Sequence, residues 1–361
     1  MNIVIFGLSI TSSWGNGHAT TYRALARALA GRGHTVTFYE RDAPWYAANR
    51  DLPAPPYCRT VVYADLAHLA ALADGDLRTA DLAMVGSYVP EGVAVGDLVL
   101  RSAQGITAFY DIDTPVTLAR LAAGGSEYIS APQIPRYDLY LSFTGGPTLE
   151  RLQRRYRAPL ARPLYCSVDP ELYFPQPGRI QWDLGYLGTY SADRQPVLER
   201  LMLKAAAAEP SQSFVVAGPQ YPDDLSWPDN VERIVHLAPG EHRRFYNALR
   251  FTLNVTRADM IRAGYSPSVR LFEAAACGIP IISDTWKGLD RFFTPGVEIL
   301  LSRNARETIG YLRHIDDATR DDIGRCARAR VLAAHTAAHR AIELEGYAAE
   351  AGVRLTQRAA S

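Results

Sequence analysis

The stretch Ser266-Pro-Ser-Val-Arg-Leu-Phe-Glu-Ala-Ala-Ala-Cys-Gly-Ile-Pro-Ile-Ile-Ser-Asp284 reads as a helix start, a short helix, a glycine stop and a buried strand. Ser266 suits an N-cap, Pro267 the first helical position, and Ser268 the first turn. Gly278 predicts the end of the helix, and Ile279-Pro-Ile-Ile-Ser283 a short apolar strand. At about 100° per residue, Glu273 returns to the helix face of Ser266. That face then carries free N–H groups and two hydroxyls at its start, with a carboxylate two turns on. Such an arrangement suits a nucleoside diphosphate, with phosphates at the positive helix end and ribose hydroxyls on the glutamate. An ordinary capped helix with a solvated Glu273 is the plain alternative.

Outward from this helix–strand pair the same alternation runs back to the first residue. Strand patterns fall at 2–8, 35–39, 60–63, 82–85, 106–110 and 137–142, with helical stretches between them, the first at 20–31. Pro170, Pro175 and Pro177 predict a linker near 172–180, after which strands recur near 183–187, 213–217, 232–236, 250–255 and 279–283. Strand and helix in alternation imply parallel sheets, here in two α/β domains. A last, alanine-rich helical stretch covers roughly 334–351.

A chain of 361 residues is too long for one ordinary core and comfortable as two. Its formal net charge of zero offers no general attraction to nucleic acid or to an anionic membrane, so nucleic acid is not the expected partner. Cys58, Cys166, Cys277 and Cys326 stand far apart, which predicts free thiols in a reducing compartment and no zinc site. The chain opens on a strand pattern without a basic, apolar leader, and no window approaches 18 uninterrupted apolar residues. The expectation is a cytoplasmic protein without a membrane span.

Gly15-Asn-Gly-His-Ala-Thr20 nearly spells a dinucleotide fingerprint, with Glu40 about where its ribose acid would stand. Thr20 replaces the third glycine, however, and eight residues separate Gly7 from Gly15, where the fingerprint needs a tight turn. The same loop, through Asn16 and Gly17, lets an acceptor or sugar approach the backbone closely. His18 at a helix start would have its pKa pushed down, favouring the neutral imidazole. Asp111-Ile-Asp113 follows a strand and sets two carboxylates at the sheet edge where α/β folds place ligands. They are acid–base or orienting candidates, or else loop caps; an Asp-x-Asp metal site fits the two-halves layout poorly. Ser87-Tyr88 follows the strand at 82–85 and is a further acceptor-site candidate. His335 and His339 have metal-pair spacing but no third ligand nearby, so a packed or solvated role is expected.

Ser268-Val-Arg-Leu-Phe-Glu-Ala-Ala-Ala-Cys-Gly-Ile-Pro-Ile-Ile282 resembles the donor-binding segment of group 1 glycosyltransferases of the GT-B fold. More narrowly, the chain is similar to CgeB-like glycosyltransferases of the spore-maturation type. The other phrases carrying that likeness are Tyr140-Leu-Ser-Phe-Thr-Gly-Gly-Pro-Thr148, Val168-Asp-Pro-Glu-Leu-Tyr-Phe-Pro175 and Leu187-Gly-Thr-Tyr-Ser-Ala-Asp-Arg194. The resemblance implies two Rossmann-like domains whose parallel sheets face across a cleft. Residues 1–172 would bind the acceptor and 180–335 the nucleotide sugar, with a terminal helix at 336–361 returning to the first domain. It also implies a metal-independent enzyme that moves a sugar, with retention at the anomeric carbon, from a nucleotide sugar, UDP-sugar above all. No cofactor beyond that co-substrate is implied, and the acceptor (protein, glycan or small molecule) stays open.

The likeness assigns roles residue by residue. Arg194 stands where the group 1 lysine neutralises the diphosphate, and Thr189 replaces the companion arginine. A fixed cation there lowers the barrier to departure of the nucleoside diphosphate. Arg257, Arg262 and Arg270 are candidates to supply the missing second charge. His236 and Leu237 would hold the nucleobase. Tyr265 stands where many group 1 enzymes carry a second glutamate. Two other classes remain at this stage: a nucleotide-sugar epimerase of the same fold, and a non-catalytic nucleotide-sugar binding protein.

Overall fold

Every strand pattern read from the sequence pairs into one of two all-parallel sheets in the computed structural model, which describes residues 1–359. The chain divides into a first unit, Met1–Cys166 together with the chain from Ala337 onward, and a second, Ser167–Thr336.

In the first unit the strands are β1 (Asn2–Phe6), β2 (Thr35–Arg41), β3 (Arg59–Tyr63), β4 (Leu82–Gly86), β5 (Ile106–Asp111), β6 (Leu139–Ser142) and β7 (Ala161–Pro163), in the order β3-β2-β1-β4-β5-β6-β7. Helices cover both faces, so β4 is buried at every residue and reads as an uninterrupted apolar run. β7 has no such run: Ala161-Arg-Pro163 is a short edge strand, where a proline is tolerated, and the sequence pattern does not reveal it. The second unit carries β8 (Trp182–Leu187), β9 (Phe214–Ala217), β10 (Val231–Ile234), β11 (Leu249–Asn254), β12 (Ile281–Ser283) and the two-residue β13 (Leu300–Leu301), in the order β10-β9-β8-β11-β12-β13.

Strand order reverses once in each sheet, between β1 and β4 and between β8 and β11. At a reversal the loops leave the carboxyl strand ends in opposite directions, and the crevice between them is where open α/β sheets bind ligands.

Local boundaries differ from the sequence reading in four places. The first helix spans Gly17–Gly31 because the Asn16 side chain caps it, accepting from the His18 N–H at 3.1 Å. The helix of the opening stretch spans Val269–Ala276 with Ser268, not Ser266, as its cap. Gly264 and Tyr265, with φ of 68° and 50°, turn the chain just before it, and Tyr265 N–H bonds the Lys287 carbonyl. Ser266 therefore lies outside the helix and does not share a helix face with Glu273. At the other end Gly278 adopts φ 75°, its N–H bonding Ala275 while Ile279 N–H bonds Ala274, a Schellman stop. The proline-marked segment belongs to the second unit: Asn247 binds both the Gln176 N–H and the Phe174 carbonyl. The last helix runs Ala337–Ala359 and contacts the Gly17–Gly31 helix, β5 and β6 within the first unit; Ala360 and Ser361 of the expected terminal helix lie outside the described residues. His335 falls before it, stacked on Phe272 at 4.8 Å, so His335 and His339 do not share a helix. No described helix is long and apolar enough to cross a membrane.

Candidate functional site

The β8/β11 reversal gathers three arginines. Arg194 ends the loop after β8, Arg257 follows β11, and Arg270 lies in the first turn of the Val269–Ala276 helix. Burial lowers the Arg194 pKa, and the charges of Arg270 and Arg257 lower it further, which places the three guanidiniums within electrostatic reach. Arg194 Nη2 donates to the Thr189 carbonyl at 2.7 Å, while its buried Nε has no hydrogen-bond partner among the described residues. Arg270 Nη1 donates to Ser268 Oγ at 3.0 Å, and its guanidinium lies over the Tyr186 ring. Like charges are held together at a sheet's ligand-binding edge beside a helix start capped by Ser268. Such a group lowers its energy by taking up a polyanion. Arg262 takes no part: it pairs with Asp259 on an exposed surface.

Glu273 is buried three residues after Arg270, so the two are neighbours on the helix. Its carboxylate accepts from the Tyr246 hydroxyl at 3.2 Å, and the Tyr246 and Tyr173 hydroxyls are both pushed well above the ordinary tyrosine range, by burial first and then by the Glu273 charge. Ser266 is buried, its hydroxyl donating to Met260 Sδ at 3.1 Å, so it offers no hydroxyl at the helix start; Ser268 is the serine that does. His236 is exposed and Leu237 half-buried on the loop after β10, two strands from β8. The Leu237 carbonyl accepts from His242 Nε2 at 3.3 Å, and no hydrogen bond or ring contact among the described residues joins either residue to the arginines.

The β1/β4 reversal gathers a second set. His18 stands in the first turn of the Gly17–Gly31 helix, and its ring meets Tyr88 edge-on at 5.2 Å. Tyr88 follows β4 in a left-handed conformation, φ 65°, and its hydroxyl donates to Asp113 Oδ2 at 3.1 Å. A left-handed tyrosine is strained, and strain of this kind collects at ligand sites. Burial lowers the His18 pKa while the Asp113 charge opposes it, and buried His18 Nδ1 has no hydrogen-bond partner among the described residues. A neutral imidazole with an unused nitrogen beside a carboxylate can take a proton from a hydroxyl.

The remaining first-unit candidates divide between site and scaffold. Asp111 is fully buried, accepting from Tyr140 at 2.6 Å and Thr117 at 2.8 Å, so it braces the β5 end and leaves Asp113 as the carboxylate facing His18. Ser87 is also fully buried, its Oγ taken by the Ile112 N–H, and does not open onto the edge. Asn16 is occupied as the cap, its Nδ2 tied to the Ser9 and Ser12 carbonyls, while Gly17 presents exposed backbone at the helix start. Glu40 reaches no ribose position: it accepts from the Ile10 and Thr11 N–H groups and the Ser9 hydroxyl, clamping the loop after β1. Arg120, over the Tyr88 and Tyr128 rings, is the residue the sequence reading misses, since nothing local distinguishes it from other helix-surface arginines.

Residues 194–346 match the family described as glycosyl transferase-like. No curated protein matches the chain. Among solved structures, it is similar to sucrose-phosphate synthase from Thermosynechococcus elongatus, at 18% identity and TM-score 0.66 over 100% of both chains. It is also similar to HepE from Anabaena in complex with UDP-glucose, at 14% identity and TM-score 0.66 over 97% of this chain and 100% of that one. An alpha-glucosyltransferase in complex with UDP-glucose and DNA containing an abasic site is similar at 14% identity and TM-score 0.71, over 97% and 99%. Likeness at these identities is likeness of fold, and the fold is GT-B, as the sequence led one to expect.

Proposed function

We propose that the chain is a glycosyltransferase of the CgeB-like type that takes a sugar from a UDP-sugar without metal or further cofactor. The observation that carries this reading is the clustering of Arg194, Arg257 and Arg270 at the β8/β11 reversal, beside the Ser268 helix start. In it the arginines and helix amides hold the diphosphate and neutralise the charge that grows as the nucleotide leaves. Glu273, next to Arg270 and held by Tyr246, takes the ribose hydroxyls. The 236–237 loop is assigned to the base by resemblance alone, and uridine is favoured because similar structures hold UDP-glucose. The first unit supplies the acceptor side, with Gly17 and Tyr88 lining it and His18 and Asp113 as its reactive groups. A glycan, protein or small molecule fits a chain of zero net charge better than nucleic acid does, and the cytoplasm, where nucleotide sugars are made, is the natural compartment.

Retention follows from the group 1 resemblance. A second reading, inversion with His18 as base, is favoured by its buried Nδ1, which has no hydrogen-bond partner among the described residues, and by the Asp113 charge acting on the ring. Calorimetry with UDP, GDP, ADP and TDP, followed by UDP-glucose turnover with and without a sugar acceptor, tests the whole reading. Binding of UDP and slow release of UDP from UDP-glucose are expected. An isomerised donor would make the chain an epimerase, and binding without turnover a sugar-nucleotide binder. His18→Gln should cut turnover about 100-fold or more with UDP affinity unchanged. The anomer of the product, read by NMR, separates retention from inversion.

A further inference from the structure

Behind Arg270 runs a buried polar chain. The Asp284 carboxylate, at the end of β12, accepts from the Thr256 N–H at 2.8 Å and the Thr256 hydroxyl at 2.7 Å. Asn254, at the end of β11, donates through Nδ2 to Thr256 Oγ1 at 3.2 Å and to Ser283 Oγ at 3.0 Å. Its Oδ1 accepts from Arg270 Nη1 at 3.4 Å. Asp284, Thr256, Asn254 and Ser283 are all almost fully buried, with relative exposures of 5%, 4%, 1% and 0%. A carboxylate is costly in such a place unless its lone pairs are filled and a cation faces it, and Arg270 is that cation.

The direction of the chain matters. Asn254 has one amide to place, and its NH₂ is spent on two hydroxyls, so only its oxygen is left to face Arg270. The Thr256 hydroxyl donates to Asp284 and must therefore accept from Asn254. Asp284 thus fixes the orientation of Thr256 and, through a longer bond from Ser283 Oγ at 3.4 Å, of Ser283; together they fix Asn254, which presents an acceptor to the guanidinium. From the other side Ser268 Oγ takes the same Nη1. Among the described residues the Arg270 guanidinium hydrogen-bonds through Nη1 alone.

We propose that Asp284 is the positioning residue of the donor site: through Thr256 and Asn254 it sets the Arg270 guanidinium for the diphosphate of the UDP-sugar. The inference rests on the proposed function and sharpens it. Asp284 touches no substrate; it acts on the phosphates alone, through one arginine.

Calorimetry of the full chain with UDP and with uridine tests this. UDP binding by the parent protein is the control, and its absence would remove the donor reading itself rather than the role of Asp284. Given that binding, Asp284→Asn should weaken UDP about tenfold, a typical coupling within one hydrogen-bond network, and leave uridine unchanged. In an Arg270→Gln background the same change should have little further effect on UDP. Thr256→Val, which removes the nearer of the two connecting hydroxyls, should weaken UDP in the same direction as Asp284→Asn, and Thr256→Ser should restore binding. The threonine pair keeps the test open if Asp284→Asn does not fold. Unchanged UDP affinity in Asp284→Asn or Thr256→Val, equal losses for UDP and uridine, or additive losses with Arg270→Gln would each overturn the proposal.

Discussion

Asp111 and Asp113 stand two residues apart and do different work. Asp111 is enclosed: burial raises its pKa from the ordinary 3.8 to about 6, against the lowering effect of the Tyr140 and Thr117 hydroxyls. A carboxyl whose folded pKa lies above its unfolded value favours the fold at low pH. That contribution is complete below about pH 3.8 and is lost as pH rises through about 6. Over this window the loss is about 3 kcal/mol. Asp111→Asn removes the titration and keeps the shape. The melting temperature of the variant minus that of the parent should therefore rise between pH 4 and pH 7, whatever its value at pH 4. A difference that stays flat with pH would mean that Asp111 is charged at no cost. The sequence shows two carboxylates after a strand. It does not show which is enclosed, because Tyr140 comes from the next strand, 29 residues on. The meeting of His18 and Tyr88 is easier to anticipate: each follows a strand at the same sheet edge, and topology brings the two rings together.

At the scale of elements, long periodic segments were read correctly and edges were not. β7 and β13, three and two residues long, are too short to carry a period. The start of the Val269–Ala276 helix was misplaced by two residues because Ser266 and Ser268 flank the same proline and both make plausible caps. The left-handed turn at Gly264 and Tyr265 decides between them, and it depends on Lys287, far along the chain. The end of that helix was unambiguous, since only glycine adopts the Gly278 conformation without cost. Gly278→Ala would put a Cβ 3.6 Å from Pro175 Cγ, an ordinary contact, so only the backbone strain of about 1–2 kcal/mol is expected. Gly324, on the Asp317–Ala334 helix, lies directly over this turn, where a Cβ would come 2.0 Å from the Gly278 carbonyl oxygen. A backbone oxygen cannot swing aside as a side chain does. Gly324→Ala should therefore cost about 3 kcal/mol or more, by forcing the helix away from the turn. Urea unfolding of the two variants measures both, and a Gly324→Ala loss equal to or below that of Gly278→Ala would refute this packing account.

For the molecule as a whole, the decisive feature is that the first unit is built from both ends of the chain. Residues 1–166 leave the Gly17–Gly31 helix, β5 and β6 to be covered by the helix Ala337–Ala359, which comes back after the entire second unit. Two kinds of interaction hold that helix, and they respond differently to pH. Leu344 is fully buried, and Leu344→Ala should cost about 2–5 kcal/mol at any pH. One helical step away, Glu345 accepts from Arg32 Nε at 2.6 Å and Nη2 at 2.7 Å, and from His34 Nε2 at 2.6 Å. The Arg32 bonds first, then His34, hold the Glu345 carboxyl down at about 2, from an ordinary 4.5. The met charge therefore adds stability above about pH 4.5, and that stability is lost as pH falls through about 2. The pair is solvent-exposed, so the effect is modest and is screened by salt. Glu345→Gln should lower the melting temperature of the first unit at pH 7, with a deficit that shrinks as the solution is taken from pH 5 towards pH 2. Thermal unfolding of both variants across that range separates the two contributions. A Glu345→Gln deficit that persists unchanged at pH 2 would show that packing, not charge, explains what Glu345 does for the returning helix.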